Sequence, residues 1–447
     1  MTEYTSRLLN RQQELGRPVR VAMVGAGQMG SGLAAQIHRI PGLHVSVIAD
    51  VAIDRAKDAY VRAGVSDVLA ADETSDISAL IAAVEAGRAV VVSDVEILRE
   101  LPLDMVIEAT GVPDIGARVS LNALRAGQHV GLLNVECDVT VGYLLAELAK
   151  QLGQIYTVCR GDEPAEAKRL VDFARDLAFE VVAAGKGKNN PMNPHATPQS
   201  LADEAASKHM NPKMLCSFVD GSKAMIEMAA LANGTGLALS KRGMHAPETT
   251  VPGLSEVYRT VADGGILEKS GVIDYCTGPV APGVFVVVRT DDPTVHEEMT
   301  YLKMGKGPYF AFYRPYHLAS IEAPLTIGEA ILDGTASLQP VAWNAEVFAG
   351  AKRDLQPGER IDGIGGETIY GIAESTSAPD CRSYIPIGLL AGATVTQQIA
   401  TDQLIRWSDV EIDSTSTIAV IRDFQTQLLD ASLAPEDLID ALAKALP

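Results

Sequence analysis

The chain has 447 residues, 47% of them hydrophobic and 21% charged, with a formal net charge of −20. That length exceeds one ordinary hydrophobic core and predicts two or three domains, while the acidic balance excludes a nucleic-acid surface, which needs a basic footprint. No run of about 18 apolar residues predicts a membrane span, and the polar opening "MTEYTSRLLNRQQELGRP" lacks the apolar core of a signal peptide, so cytoplasmic residence is expected.

Residues 1 to about 17 read as a polar helix with Leu8, Leu9 and Leu15 as its apolar contacts. Apolar strands then alternate with helical stretches: "VRVAMVG", "GSGLAAQIHRI", "LHVSVIAD", "AIDRAKDAYVRAG", and onward through "DMVIEATG", "HVGLLN" and "FEVVAAG" to about residue 185. Such alternation predicts βαβ units and a doubly wound parallel sheet covered on both faces, an α/β fold. The periodicity lapses in the Pro-, Asn- and Lys-rich "KGKNNPMNPHATPQSLADEAASKHMNPKM", which reads as an active-site loop. A mixed α+β domain is expected from 186 to 339, and a small β-rich domain closed by a tail helix from 340 to 447. "GVFVVVRT" suits either an interface sheet of a homodimer or a monomer core. The five cysteines are dispersed, without a C-x-x-C pair, and read as reduced thiols.

Gly25, Gly27 and Gly30 form G-x-G-x-x-G between a strand and a helix. The first glycine permits a tight turn, the second a close approach to pyrophosphate, and the third tight helix packing. Asp50, about 20 residues on, ends the second strand where a carboxylate accepts from ribose hydroxyls. It favours NAD by repelling a 2′-phosphate; Arg55 is suited either to binding that phosphate or to solvent, so both cofactors stay open. Glu108, Thr110 and Gly111 end one later strand, Asn134 and Glu136 the next, with Glu136 suited either to catalysis or to capping a helix.

Lys186, Lys188, Asn189 and Asn190 fall within five residues, a cluster suited to a phosphate or carboxylate on an otherwise acidic chain. Asp220, Lys223 and Glu227 share one face if the helix starts at Asp220, as a proton relay or as a surface ion-pair ladder. Arg314 and His317 follow an alternating strand, and His317 fits either a core hydrogen bond or a cleft. No metal-ligand spacing stands out.

Together, "VGAGQMGSGL", "DMVIEATGVPDIGA", "GQHVGLLNVECDVTVG", "AAGKGKNNP", "SFVDGSKAMIEMAALAN", "YLKMGKGPYFAFYRPYHL" and "AKRDLQPGERIDGIGG" resemble homoserine-dehydrogenase-like oxidoreductases with a C-terminal SAF-like domain. Within them, the chain is similar to the 1-deoxy-D-xylulose 5-phosphate reductoisomerase-like branch. The resemblance implies a Rossmann domain over 1–185, a catalytic and dimerisation domain over 186–339, an SAF-like domain over 340–447, and a homodimer. It implies an NADPH-dependent reaction, with NADH as the other cofactor, that converts this phosphorylated ketose to 2-C-methyl-D-erythritol 4-phosphate for isoprenoid precursor synthesis, with Mg²⁺ or Mn²⁺ as a cation. The cofactor would meet Gly25, Gly27, Gln28, Met29, Gly30, Asp50, Arg55, Thr110, Gly111 and Asn134. Substrate would meet Lys186, Lys188, Asn189, Asn190, Arg242 and Arg314, and catalysis would fall to Lys223, Asp220, Glu227 and Lys186.

One departure concerns homoserine: Asn134 is followed by Val135 where that family has lysine, which disfavours homoserine as substrate. Another concerns metal, since the conventional reductoisomerase's metal-binding carboxylates have no counterpart here. Two further readings stand beside the rearrangement: a simple NAD(P)-dependent dehydrogenase of a polyol, sugar acid or semialdehyde, and a dinucleotide- or sugar-acid-binding sensor.

Overall fold

The structure is a computed structural model that describes residues 2–71 and 76–446. It divides into two units, each with its own sheet.

The first unit comprises Met1–Asp162, Leu318–Gln339 and Ser416–Pro447. Its seven strands are β1 (Val19–Val24), β2 (Leu43–Ala49), β3 (Val68–Ala71), β4 (Ala89–Val92), β5 (Met105–Glu108), β6 (His129–Leu132) and β7 (Tyr156–Val158). They lie in the order β3-β4-β2-β1-β5-β6-β7, and every pairing is parallel. All six residues of β1 are buried, as a central strand covered by helices on both faces requires. The chain leaves β1 for β2 on one side and later adds β5 on the other. The C-terminal ends of β1 and β5 therefore flank the switch point, where open α/β sheets bind ligands.

The second unit comprises Glu163–His317 and Pro340–Thr415. Its five-stranded mixed sheet has the order β12-β11-β8-β10-β9, built from β8 (Glu180–Lys188), β9 (Ala238–Leu239), β10 (Val272–Thr277), β11 (Val284–Arg289) and β12 (Tyr309–Arg314). β8 runs parallel to β10 and antiparallel to β11. The β-rich remainder holds two antiparallel pairs, β13 (Ala345–Ala351) with β14 (Ile369–Ser375) and β15 (Thr394–Val395) with β16 (Val410–Glu411), tied by isolated bridges such as Leu355 to Ile399.

These boundaries differ from those expected from the sequence. β8 continues the apolar alternation of the first sheet but pairs in the second, because periodicity reports burial and not which sheet a strand joins. The tail helix Thr417–Leu429 leaves the β-rich segment for the first unit. There Gln425 Oε1 accepts from the Leu144 backbone N–H (3.0 Å), and Arg422 donates to the Thr140 carbonyl (2.9 Å). β11, a possible interface strand, is instead interior: it is flanked by β8 and β12, and Val284 through Val288 are fully buried within the chain. All five cysteines are buried, and among the described residues no helix is long and apolar enough to cross a membrane.

Candidate functional site

In the first unit, β1 ends at Gly25, whose φ of +92° is open to glycine at little cost. Its missing side chain lets the turn pass the end of β5, where a Cβ would stand 3.0 Å from the Ala109 carbonyl oxygen. Gly27 caps helix Gln28–His38, and a Cβ on Gly27 would meet nothing, so the backbone there is open to an approaching group. A Cβ on Gly30 would collide with the Gly25 carbonyl, which fixes the third glycine by packing. Unpaired N–H groups and the positive end of the helix dipole suit this turn to a pyrophosphate. Gln28 and Met29 form the first helical turn.

Asp50 also supports the turn itself. It is buried, and its two oxygens accept from the backbone N–H groups of Ala26 and Ala52, each at 2.8 Å. It thus buttresses the glycine turn with one hydrogen bond to each oxygen, and the carboxylate keeps further acceptor sites. Arg55 is 59% exposed, with its guanidinium 3.8 Å from Asp50. Asn134 is also engaged structurally: its Oδ1 accepts from Cys137 N–H as the cap of helix Val135–Leu152, and its amide donates to the Val112 carbonyl. Glu136 stands in the first turn of that helix. At the switch point, Glu108 is wholly buried and accepts from Thr110 N–H at 2.7 Å. Burial pushes its carboxyl up to about 7, against the opposing pull of hydrogen bonds from Thr110 and Asn134. Gly111 follows with φ +68°.

The second unit holds a cavity of about 320 Å³. Lys186, Lys188, Lys208 and Lys223 line it with Asn189, Asn190, Glu163 and His317, and Met210, Leu215 and Phe218 form an apolar wall. Lys186 and Lys188 lie on β8, not in a loop, and their spacing of two puts both on one face of the sheet. The glycines that alternate with them, Gly185 and Gly187, have a steric reason: a Cβ on Gly185 would strike the Asp274 backbone, and one on Gly187 the Val280–Ala281 backbone.

Lys186 Nζ donates to Glu163 Oε1 at 2.8 Å and also to Glu227. Burial pulls its pKa down, but the two carboxylates push it up further, so the net shift is upward. Glu227, on helix Ser222–Thr235, is raised by burial and by Glu163, against the pull of Lys186 and Lys223. His317 Nε2 lies 3.3 Å from the same Glu163 oxygen. Lys188 differs: its Nζ donates to the Asn190 carbonyl at 2.7 Å, and burial together with repulsion from Lys186 lowers it to about 8.

Three expected residues lie elsewhere. Asp220 precedes the helix, which begins at Ser222 after Gly221 turns at φ +89°, so it does not continue the Lys223–Glu227 face. It pairs with Lys352 at 2.8 Å, accepts from Ser222 N–H, and lines no part of the cavity. Arg242 is half exposed and pairs with Glu374. Arg314 pairs with Glu166 and stacks over the Tyr316 ring, 4.6 Å from its centre. Each guanidinium is taken by a carboxylate distant in sequence. Glu163 went unnoticed because Glu-Pro at a helix start reads as an ordinary first-turn acid. Lys208, Met210, Leu215 and Phe218 carried no pattern beyond that of an amphipathic surface.

Residues 161–323 match the model of the catalytic domain of oxidoreductase DRL. This part of the chain is similar to an oxidoreductase catalytic domain. Residues 349–411 match the SAF domain. No curated protein matches the chain. Solved structures show partial likeness: myo-inositol 2-dehydrogenase from Lactobacillus plantarum is 12% identical over 96% of this chain and 95% of that one, with a TM-score of 0.32. KijD10, a 3-ketoreductase from Actinomadura kijaniata, solved with NADP and TDP-benzene, is 16% identical over 73% and 93%, with a TM-score of 0.38. GenD2 from gentamicin A biosynthesis, solved with NAD, is 12% identical over 71% and 87%, with a TM-score of 0.37.

Proposed function

We propose that this protein is a nicotinamide-dependent oxidoreductase that interconverts an alcohol and a carbonyl on a small anionic polyol, sugar acid or semialdehyde. The observation that carries the reading is the cavity: four lysines converge on about 320 Å³ in a protein of net charge −20, within the segment that matches an oxidoreductase catalytic domain. The glycine turn fits the dinucleotide, with open backbone at Gly27 and a helix N-terminus beside it. Once bound, the nicotinamide supplies or accepts the hydride.

The residues of this chain divide the remaining work. Lys223, Lys208 and the amides of Asn189 and Asn190 bind the substrate's anionic group, while Lys186 is held between Glu163 and Glu227. The apolar wall at Met210, Leu215 and Phe218 excludes water from one side. Arg55, exposed beside Asp50, suits a 2′-phosphate, which supports NADPH as the cofactor.

A second reading keeps the carbon rearrangement. The lysines equally suit a phosphate, which keeps reductoisomerisation of 1-deoxy-D-xylulose 5-phosphate as the second reading, with Mg²⁺ or Mn²⁺ to be tested alongside. The test is to incubate purified protein with NADPH or NADH and a panel of phosphorylated ketoses, sugar acids and semialdehydes, with divalent cation or with chelator. Cofactor absorbance reports turnover, and NMR of the product separates a changed carbon skeleton from simple reduction. Tight ligand binding without cofactor oxidation across the panel would favour a sensor.

A further inference from the structure

Lys186 and Lys188 have the same side-chain type, on one face of one strand, in one cavity, but their surroundings prepare them for different tasks. Reduction of a carbonyl requires a proton at the oxygen as the hydride reaches the carbon, and a useful donor releases its proton close to the working pH. Lys186 is excluded as that donor because two carboxylates hold its ammonium. Lys208 is exposed and paired with Glu204 at 2.6 Å. Lys223 has its charge supported by Glu227, one helical turn away. His317 directs its Nε2 at Glu163.

We propose that Lys188 is the catalytic acid of this site, donating a proton from Nζ to the substrate oxygen, with Lys186 beside it as a cation held by Glu163 and Glu227. The proposal rests on the hydride-transfer reading above. In the reducing direction, hydride from NAD(P)H forms the new C–H bond and the carbonyl π pair moves to oxygen. A Lys188 N–H bond breaks and an O–H bond forms, which leaves an alcohol, NAD(P)⁺ and a neutral amine that regains its proton from water. In the oxidising direction the neutral amine takes that proton back.

The geometry supports this division. Lys188 Nζ is held by one neutral acceptor, the Asn190 carbonyl, which orients the group without stabilising its charge as a carboxylate would. The charged groups that act on it are Lys186 on its own strand, which repels, and Asp220 and Glu227 before and within the neighbouring helix, which attract; burial and the Lys186 repulsion prevail, and its pKa falls to about 8. Glu163, Lys208, Lys223 and His317 complete the charged lining. Loss of the Lys186 charge should therefore raise the Lys188 pKa.

Two measurements on the full chain test the proposal. Competitive labelling with acetic anhydride across pH, read by peptide mass spectrometry, should give Lys188 a midpoint near 8, well below that of exposed lysines, and should find Lys186 nearly unreactive. A Lys188 midpoint equal to that of exposed lysines would overturn the proposal whatever the substrate. For a substrate turned over with NAD(P)H, Lys188→Met and Lys188→Arg should each lower kcat about 100-fold or more with KM changed only a few-fold, and the alkaline limb near pH 8 should disappear. Retained kcat in both variants would overturn it, and cofactor titration of each variant verifies an intact fold. Absence of turnover in the unmodified protein would remove the acid role together with the hydride reading; a low labelling midpoint in that case would locate the failure in the reading and not in the titration.

Discussion

Lys352 Nζ stands 2.8 Å from Asp220 Oδ2, and both side chains are almost wholly buried. Two backbone carbonyls, of Ala196 and Gly366, each accept from the same ammonium at 2.7 Å, and Cys216 Sγ lies 3.2 Å away. The pair joins the start of the Ser222 helix to the β-rich segment of the same unit, which gives Asp220 a structural task. Asp220→Ala leaves a buried ammonium without its counter-charge and should cost about 3–5 kcal/mol, read by urea unfolding. Lys223→Ala should spare stability and impair substrate affinity. A stable but inactive Asp220→Ala protein would reverse these assignments.

The Glu163–Lys186–Glu227 cluster predicts a pH-dependent phenotype. Removing the ammonium in Lys186→Met leaves two neighbouring carboxyls, Glu227 buried and Glu163 nearly so, that resist ionisation, so their folded pKa values lie above those of the unfolded chain. The folded state then binds more protons than the unfolded one, and stability falls as pH rises from about 5 to 8. Urea melts should show a steeper decline over that range in Lys186→Met than in the unmodified protein.

Glu108 carries a related signature in the first unit. Its pKa, raised to about 7 by burial, contributes stability that is fully present below the unfolded value near 4.5 and is lost as pH rises through 7. At about 1.4 kcal/mol per unit, the loss amounts to about 3 kcal/mol. Glu108→Gln should flatten this part of the stability profile, and an unchanged profile would show that the carboxyl ionises freely in place.

The glycines of the first turn differ in what they protect. Gly27→Ala places its methyl in open space above the helix start, so stability should change by less than about 1 kcal/mol while NAD(P)H affinity falls roughly tenfold or more. Gly30→Ala collides with the Gly25 carbonyl and should lower both stability and affinity. Thermal melts and fluorescence titration of the cofactor separate the two effects.

The legible part of the molecule is the part written in short-range pattern. The turn at Gly25, Gly27 and Gly30 needs only its flanking strand and helix to be recognised, and Lys186 and Lys188 declare a shared face by their spacing. Asp220, Arg242 and Arg314 were misplaced because their partners, Lys352, Glu374 and Glu166, are 132, 132 and 148 residues away, and no local pattern encodes such pairs. The unit boundaries were hidden for a related reason: β8 has the apolar texture of the first sheet, and residues 318–339 and 416–447 return to a unit that the chain had already left. The contacts of Asp50 to the backbone of Ala26 and Ala52 depend on turn geometry, which no spacing in the sequence encodes.

The central claim is hydride transfer between a nicotinamide and a small anionic substrate. Its most direct test uses NADPH and NADH carrying deuterium at C4, in both stereochemical forms, with the panel of anionic ketoses, sugar acids and semialdehydes, and NMR of the products. The account predicts deuterium on the new carbinol carbon of at least one product, transferred from one C4 face only. Intact reduced cofactor across the whole panel, in protein that binds the cofactor, would contradict it.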